Sequence, residues 1–446
     1  MNIEEARAPS PSVVAGTGLG LTALFVSGVL IAMATTTYDV WGGVLLAPIL
    51  IGVTLPALRR QAAREGDQRL FWLLLLALLL KLAGSILRHY VAFEIYSGGA
   101  DANHYHQMGL DISARFRSGD FNTGLPSLTG TQFIEFLTGI VYTIIGPTIL
   151  GGFLVYSWLG FLGLFFFYRA FTLAVPEGRT RSYARLVFFL PSLLFWPSSI
   201  GKEAWITFTL GMAALGVAHA LSGRTFKGLS MAAAALWLVA IVRPHIAALI
   251  ALALAAGYLM RRPRAELGTL GPIAKVIGLV VVAVIALVFV GKANTFLKER
   301  GIDTQQGLTT ALFQTSARTS QGGSQFVPSI LESPTRIPNA VATVLFRPLI
   351  SEAHNAQALA AGAEATFLFL LSLIRIRSIL AALRSIRRQP YVAFAVANTG
   401  LMILALSSIA NFGLLARERV QLIPLYLVLL AMPAPSTEDA RRPAVA

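Results

Sequence analysis

Residues 70–87 read LFWLLLLALLLKLAGSIL, with Lys81 as the one charged side chain. A helix of nearly 20 residues at about 1.5 Å each reaches close to the ~30 Å of a bilayer's hydrocarbon core. The run is apolar on every face, so it is no amphipathic surface helix. Residues 274–291, AKVIGLVVVAVIALVFVG, repeat the pattern. The composition extends it to the whole chain: of 446 residues, 55% are hydrophobic and 13% charged, where soluble proteins carry roughly 25% charged. The expected class is an all-α polytopic membrane protein. Short alternating segments, the signature of an outer-membrane barrel, are missing.

There is no cysteine, which excludes disulfides, zinc–thiolate sites and thiol nucleophiles. The opening MNIEEARAPSPS carries acidic residues and no cleavage signature, so no removable signal peptide is expected. The net charge of +15 is assigned to arginine-rich cytoplasmic loops, with no nucleic-acid partner implied.

About twelve spans are expected, at 14–36, 39–57, 70–91, 148–168, 185–200, 204–221, 228–242, 246–260, 272–291, 356–374, 391–410 and 420–434. Lysine and arginine accumulate on the cytoplasmic side. The loops RRQAAREGDQR (59–69), 169–185, GRTFKG (223–228), RRPRAE (261–266) and RIRSILAALRSIRR (375–388) then share that side, and both termini join them. The assignment requires GTQFIEFLTGIVYTIIG (130–146) not to cross, so it reads as an interfacial or re-entrant amphipathic helix. The expectation is a single transmembrane domain, 1–446, in an inner or plasma membrane, with outer loops at 92–147 and 292–355.

The remaining polar chemistry gathers on the outer face. YSGGADANHYHQMGLDISARFRSGDF (96–121) places Asp101, His104 and Tyr105 on one helical face. SSIGKEAW (198–205) puts Lys202 and Glu203 at the lip between two spans, and VRPHIA (242–247) sets Arg243 and His245 around a proline. An arginine in so short an outer turn runs against the orienting trend, and its planar fork suits phosphate. The long loop supplies Arg347, Glu352 and His354, and NFGLLARERV (411–420) adds Arg417 and Arg419. Each has a plainer reading as an interface anchor or a solvated face. Lys81 and Glu364 lie mid-span at similar depth and are expected to pair, tying the third span to the tenth. No Walker, GxGxxG, HExxH or GxSxG motif occurs, so an activated substrate would arrive through the membrane.

The order and placement of these features resemble the GT-C superfamily, multi-span glycosyltransferases that use polyprenyl-phosphate-linked sugars on the outer face. The resemblance covers roughly residues 92–260: DANHYHQMG in the first outer loop, the helix ending IIGPT, the span ending FFFYRAF, and the hinge LPSLLFWPSSIGKEAW. This chain has a single Asp where that superfamily has paired acids, and two spans precede the span leading into the first loop where the typical member has one.

The resemblance implies transfer of a sugar to a glycan or lipid-linked acceptor in cell-envelope polysaccharide assembly. Asp101 would be the base, with His104 as the alternative and Glu203 as a second acid or the holder of Lys202. Lys202, Arg243, Arg347 and Arg417 would clamp the phosphate, Arg419 would bind substrate at the mouth of the last span, and Tyr105 and His245 would orient sugar or acceptor. No cofactor is implied; a divalent metal stays open, although the paired-acid motif that would support one is absent. The alternatives are a polymerase or ligase of lipid-linked oligosaccharides and, in another class, a transporter of the lipid-linked sugar.

Overall fold

The computed structural model describes residues 11–434 apart from 100, 263–269, 303, 305–306, 322, 331 and 354. His354 and both ends of the chain therefore lie outside the described residues. The structure is 80% helical with no strand among the described residues, which fixes the all-α class.

The chain opens with α1 (Pro11–Thr35), α2 (Tyr38–Glu65) and α3 (Gln68–Tyr90), the last continued by a π-helical turn, Val91–Ile95. α4 (Asp101–Arg117) and α5 (Thr131–Ile145) pack on each other before the long α6 (Ile149–Ala174). Two short helices follow, α7 (Thr180–Phe189) and α8 (Pro191–Phe195). Then come α9 (Lys202–Leu221), α10 (Thr225–Val242) and α11 (Pro244–Leu259), joined by short turns. The second half holds α12 (Leu270–Glu299), α13 (Leu308–Thr319), α14 (Ile337–Phe346), α15 (Ala356–Ile374) and α16 (Ile376–Ser385). α17 (Pro390–Leu406), α18 (Phe412–Glu418) and α19 (Ile423–Leu430) complete it.

Seven of these helices are long and apolar enough to cross a membrane, or eight if α16 and α17, bent by 113°, form one span. The expected twelve are not reached among the described residues, and at two of the missing spans a proline lies at the break or the start of the helix. The segment expected at 185–200 is broken at Pro191 into α7 and α8, and the last one shortens to α19, with Pro424 in its first turn. Proline lacks the N–H that would continue a helix. α11 has 16 residues and α5 has 15, lengths of about 24 and 22 Å.

α6, α9 and α10 form the tightest part of the bundle. A Cβ on Gly211 would lie 2.1 Å from the Gly163 carbonyl oxygen, and one on Gly228 would lie 2.1 Å from the Ala220 nitrogen. Glycine is required where the backbones touch, as in packed membrane helices generally.

Lys81 and Glu364 form no ion pair, which corrects the expected tie between spans. They hold opposite ends of α8 instead. The residue before α8 is Leu190, whose side chain cannot accept a hydrogen bond. Glu364 Oε2 supplies the missing acceptor from α15, taking the Ser192 N–H at 2.6 Å. At the other end Lys81 Nζ donates to the carbonyls of Leu193 (2.6 Å) and Leu194 (3.3 Å). Both side chains are buried. An anion at a helix N-terminus and a cation at its C-terminus each match the helix dipole.

Replacing Lys81 by Met keeps the volume but leaves the Leu193 carbonyl without its donor, while the Leu194 carbonyl keeps the Ser198 hydroxyl. Such a loss costs about 1–3 kcal/mol. The expected result is a clear drop in the melting temperature of the purified protein, while Glu364→Gln, which keeps an acceptor for Ser192, is milder. Equal stability of Lys81→Met and wild type would remove this role.

Candidate functional site

At one end of the bundle, four separate turns meet around a cavity of about 280 Å³. The π-helical turn after α3 carries the chain towards α4 through Ser97 (φ 49°) and Gly98 (φ 74°). Tyr96 on that turn donates to Gln357 Oε1 on α15 at 2.7 Å. Asp101 opens α4, the 196–203 turn supplies Trp196, Ser199 and Glu203, and α18 supplies Arg417. Arg88, from the end of α3, completes the charged lining.

These charges form one alternating chain. Asp101 Oδ2 accepts from Arg417 at 3.1 Å, and Arg417 Nε donates to Glu203 Oε1 at 2.7 Å. Glu203 also accepts from Arg243 at 3.3 Å, and Arg243 pairs at its far side with Glu418. Burial works to lower the Arg417 pKa, but the Glu203 and Asp101 carboxylates outweigh it and hold the pKa above its ordinary value. For Arg243, burial wins over the opposing pull of Glu203, and the pKa falls. Burial, helped by the Asp101 and Glu203 charges, raises the pKa of Tyr105.

The sequence expected Asp101, Glu203, Arg243 and Arg417 to converge, and they do. Their roles divide by exposure. Glu203 is buried with two guanidinium partners, so it holds arginines in place and is not free to take a proton. Asp101 has a side chain 63% exposed and a single partner. It is the carboxylate a substrate can reach. Arg243 lies behind Glu203 as a support and is absent from the cavity lining.

Arg88 was missed. Its guanidinium stacks over Phe195 (4.7 Å) and Trp196 (5.0 Å), and its Nε is buried without a hydrogen-bond partner. A stacked, incompletely bonded guanidinium is poised for an anion. The short-turn argument made for Arg243 does not extend to Arg88, which falls inside the expected span 70–91; its signal was a cation near the end of an otherwise apolar run.

His104 faces the other side of α4. Its Nε2 lies 2.9 Å from Glu135 on α5, and both line a groove of about 1110 Å³ bounded by α5, the α10–α11 turn and α12. Leu287 and Val288 give this groove an apolar wall, and Lys292 and Arg300 lie along it. Asp101 and His104 were expected as alternatives within one site, yet they line different cavities. Between the two, Lys202 donates to Thr131 Oγ1 at 2.7 Å, beside buried Tyr105. Glu135 was also missed; its signal was a carboxylate inside the apolar stretch TQFIEFLTGI.

Three expected ligands point elsewhere. Arg347 pairs with Glu352 and stacks over Phe326 and Phe412, both at 5.0 Å, pinning the end of α14 to α18. Arg419 is buried and donates to the carbonyls of Leu345 (3.0 Å) and Arg347 (2.8 Å) past the end of α14. His245 stacks on Phe296 beneath the groove, its Nδ1 unpartnered. Among the described residues no group of three or more His, Asp or Glu is placed to hold a metal ion.

Glu203→Leu strips the carboxylate shared by two largely buried guanidinium groups, leaving Arg243 with Glu418 alone and Arg417 with Asp101 alone. Breaking such a pair costs about 3–5 kcal/mol, so a large fall in melting temperature is expected. Asp101→Asn touches an exposed pair worth under about 1 kcal/mol and should leave the melting temperature almost unchanged. Thermal unfolding of the two variants side by side checks the division; equal losses would refute it. No family model matches this chain, and no curated protein or solved structure matches it either.

Proposed function

We propose that the protein is an integral-membrane glycosyltransferase of the outer face, moving a sugar from a polyprenyl-phosphate-linked donor to a glycan or lipid-linked acceptor. One observation carries the reading: a reachable carboxylate, Asp101, and an incompletely bonded guanidinium, Arg88, line the same small cavity at one end of a membrane bundle. Transfer from a lipid phosphate needs both groups. The acceptor hydroxyl forms a bond to the sugar's anomeric carbon and gives its proton to the Asp101 carboxylate. The bond from that carbon to the phosphate oxygen breaks, and the departing phosphate takes the electron pair. Arg88 and Arg417 stabilise its developing charge.

The charged lining of the cavity is two guanidinium groups, Arg88 and Arg417, and two carboxylates, Asp101 and Glu203. Glu203 is already committed to Arg417 and Arg243, which leaves Arg88 as the cation without an ionic partner among the described residues. The separate groove at His104 supports a two-substrate reaction, since α4 presents Asp101 to one cavity and His104 to the other. Its size and apolar wall also suit an acceptor carried on lipid, which favours a polymerase or ligase as the second reading.

The test is a transfer assay in nanodiscs with radiolabelled polyprenyl-phosphate sugars and a membrane extract as acceptor. Wild type should move label onto a glycan. Asp101→Asn should lower the rate by about 10²–10⁴-fold, the usual contribution of a positioned base. Arg88→Gln should lower kcat/KM by about 10²-fold, with folded protein recovered in both cases. Label that elongates only when lipid-linked oligosaccharide is supplied would move the assignment to the polymerase. No transfer from either donor class, or wild-type rates in Asp101→Asn, would overturn the mechanism.

A further inference from the structure

The opposite end of the bundle carries a cavity that the transfer reaction does not use. It measures about 560 Å³ and lies where the α9–α10 turn, the end of α11 and the start of α12 meet. α10 has 18 residues, so this end is about 27 Å from Arg243. Arg224, Lys227, Arg261, Arg262 and Lys275 all line it. Among the described residues no carboxylate lines the cavity or pairs with any of the five. Arg261 is buried and fixed in place, donating to the Tyr258 hydroxyl at 3.1 Å with its guanidinium over the Tyr258 ring.

Two further features point to an anion. α10 begins here at Thr225 with no side-chain cap, because the residue before it is Arg224. Its first N–H groups and the positive end of its dipole therefore add to the cationic field. Five like charges around one cavity repel one another, and a bound anion reverses the sign of that interaction.

The surroundings then distinguish the class of anion. Phe226, at the cavity wall, is 88% exposed. Leu270, Ile273 and Ile277 on α12 are exposed at 62%, 56% and 60%, and their spacing of three and four puts them on one stripe. That stripe leads from the cavity along a helix whose length and apolarity suit a membrane. We propose that this cavity holds the phosphate headgroup of an anionic membrane phospholipid, its acyl chains lying along α12. Basic pockets between membrane helices take such headgroups through charge, while the hydrocarbon remains in the bilayer. The inference does not depend on the transferase reading.

The experiment is native mass spectrometry of the full chain, delipidated in detergent and titrated with phosphatidylglycerol or phosphatidylcholine. Wild type should bind phosphatidylglycerol with at least tenfold preference, and the preference should weaken with salt. Arg224→Gln combined with Lys275→Gln should lower that affinity by about 30-fold, two surface cations' worth. The melting temperature without lipid should not move, since neither side chain has an ionic partner among the described residues. Should the double variant fail to fold, Arg262→Gln, an exposed position, should still lower the affinity severalfold. Competition on wild type needs no variant: inorganic pyrophosphate at millimolar concentration should displace little lipid. Equal binding of the two lipids, full displacement by pyrophosphate, or unchanged affinity in the folded variants would each overturn the assignment, the second in favour of a soluble phosphate compound.

Discussion

The end of the bundle that holds the small cavity depends on a short helix that cannot hold itself. α8 has five residues and a leucine at its N-cap, so no local side chain takes its first N–H groups, and the Leu193 carbonyl has no local donor among the described residues. Isolated helices of this length do not form in water. Here Glu364 from α15 takes the first free N–H and Lys81 from α3 fills the last carbonyls. The gain is positional. α8 leads into the 196–203 turn, which contributes Trp196, Ser199, Ile200, Gly201 and Glu203 to the cavity. Gly160 makes room for the turn from α6, since a Cβ there would lie 2.5 Å from the Pro197 carbonyl oxygen. Two costly membrane charges thus serve the placement of a site.

The sequence already showed that Lys81 and Glu364 need partners, because a lone charge at that depth costs about 2.5–3.5 kcal/mol or more. It could not show which partners. A direct pair and a shared helix both satisfy the same energetic demand, and the second depends on α8 lying between the two long helices. The span count has a similar limit. Hydropathy marks 185–200, 246–260 and 420–434 as apolar, and they are. Whether an apolar segment crosses or stays short inside the protein depends on what covers it. α19 is buried along its whole length, so its apolarity answers to protein neighbours and not to lipid.

The site was legible as a meeting of outer turns, and its internal order was not. Asp101, Glu203, Arg243 and Arg417 are far apart in the chain, and the reason to group them was their common side of the membrane. Orientation places residues in a plane, but says nothing about which pairs form within it. Glu203 and Asp101 are both carboxylates at lips of spans. Only burial separates them, leaving one held by two arginines and the other open. Arg347 and Arg419 shared the right plane too, yet aromatic rings and backbone carbonyls took up their donors first.

α4 carries the last consequence of that arrangement. Asp101 and His104 are three residues apart, which is close to one helical turn, and such neighbours ordinarily point the same way. Here they part: Asp101 lines the small cavity and bonds Arg417, while His104 lines the groove and meets Glu135. Tyr105, next along α4, is buried, with Thr131 at its side and Lys202 bonded to Thr131. The carboxylate therefore sits in the smaller cavity beside two guanidinium groups, and the imidazole in the larger, partly apolar groove. One turn of helix thus serves two cavities, and a substitution confined to one of the two side chains leaves the lining of the other cavity intact.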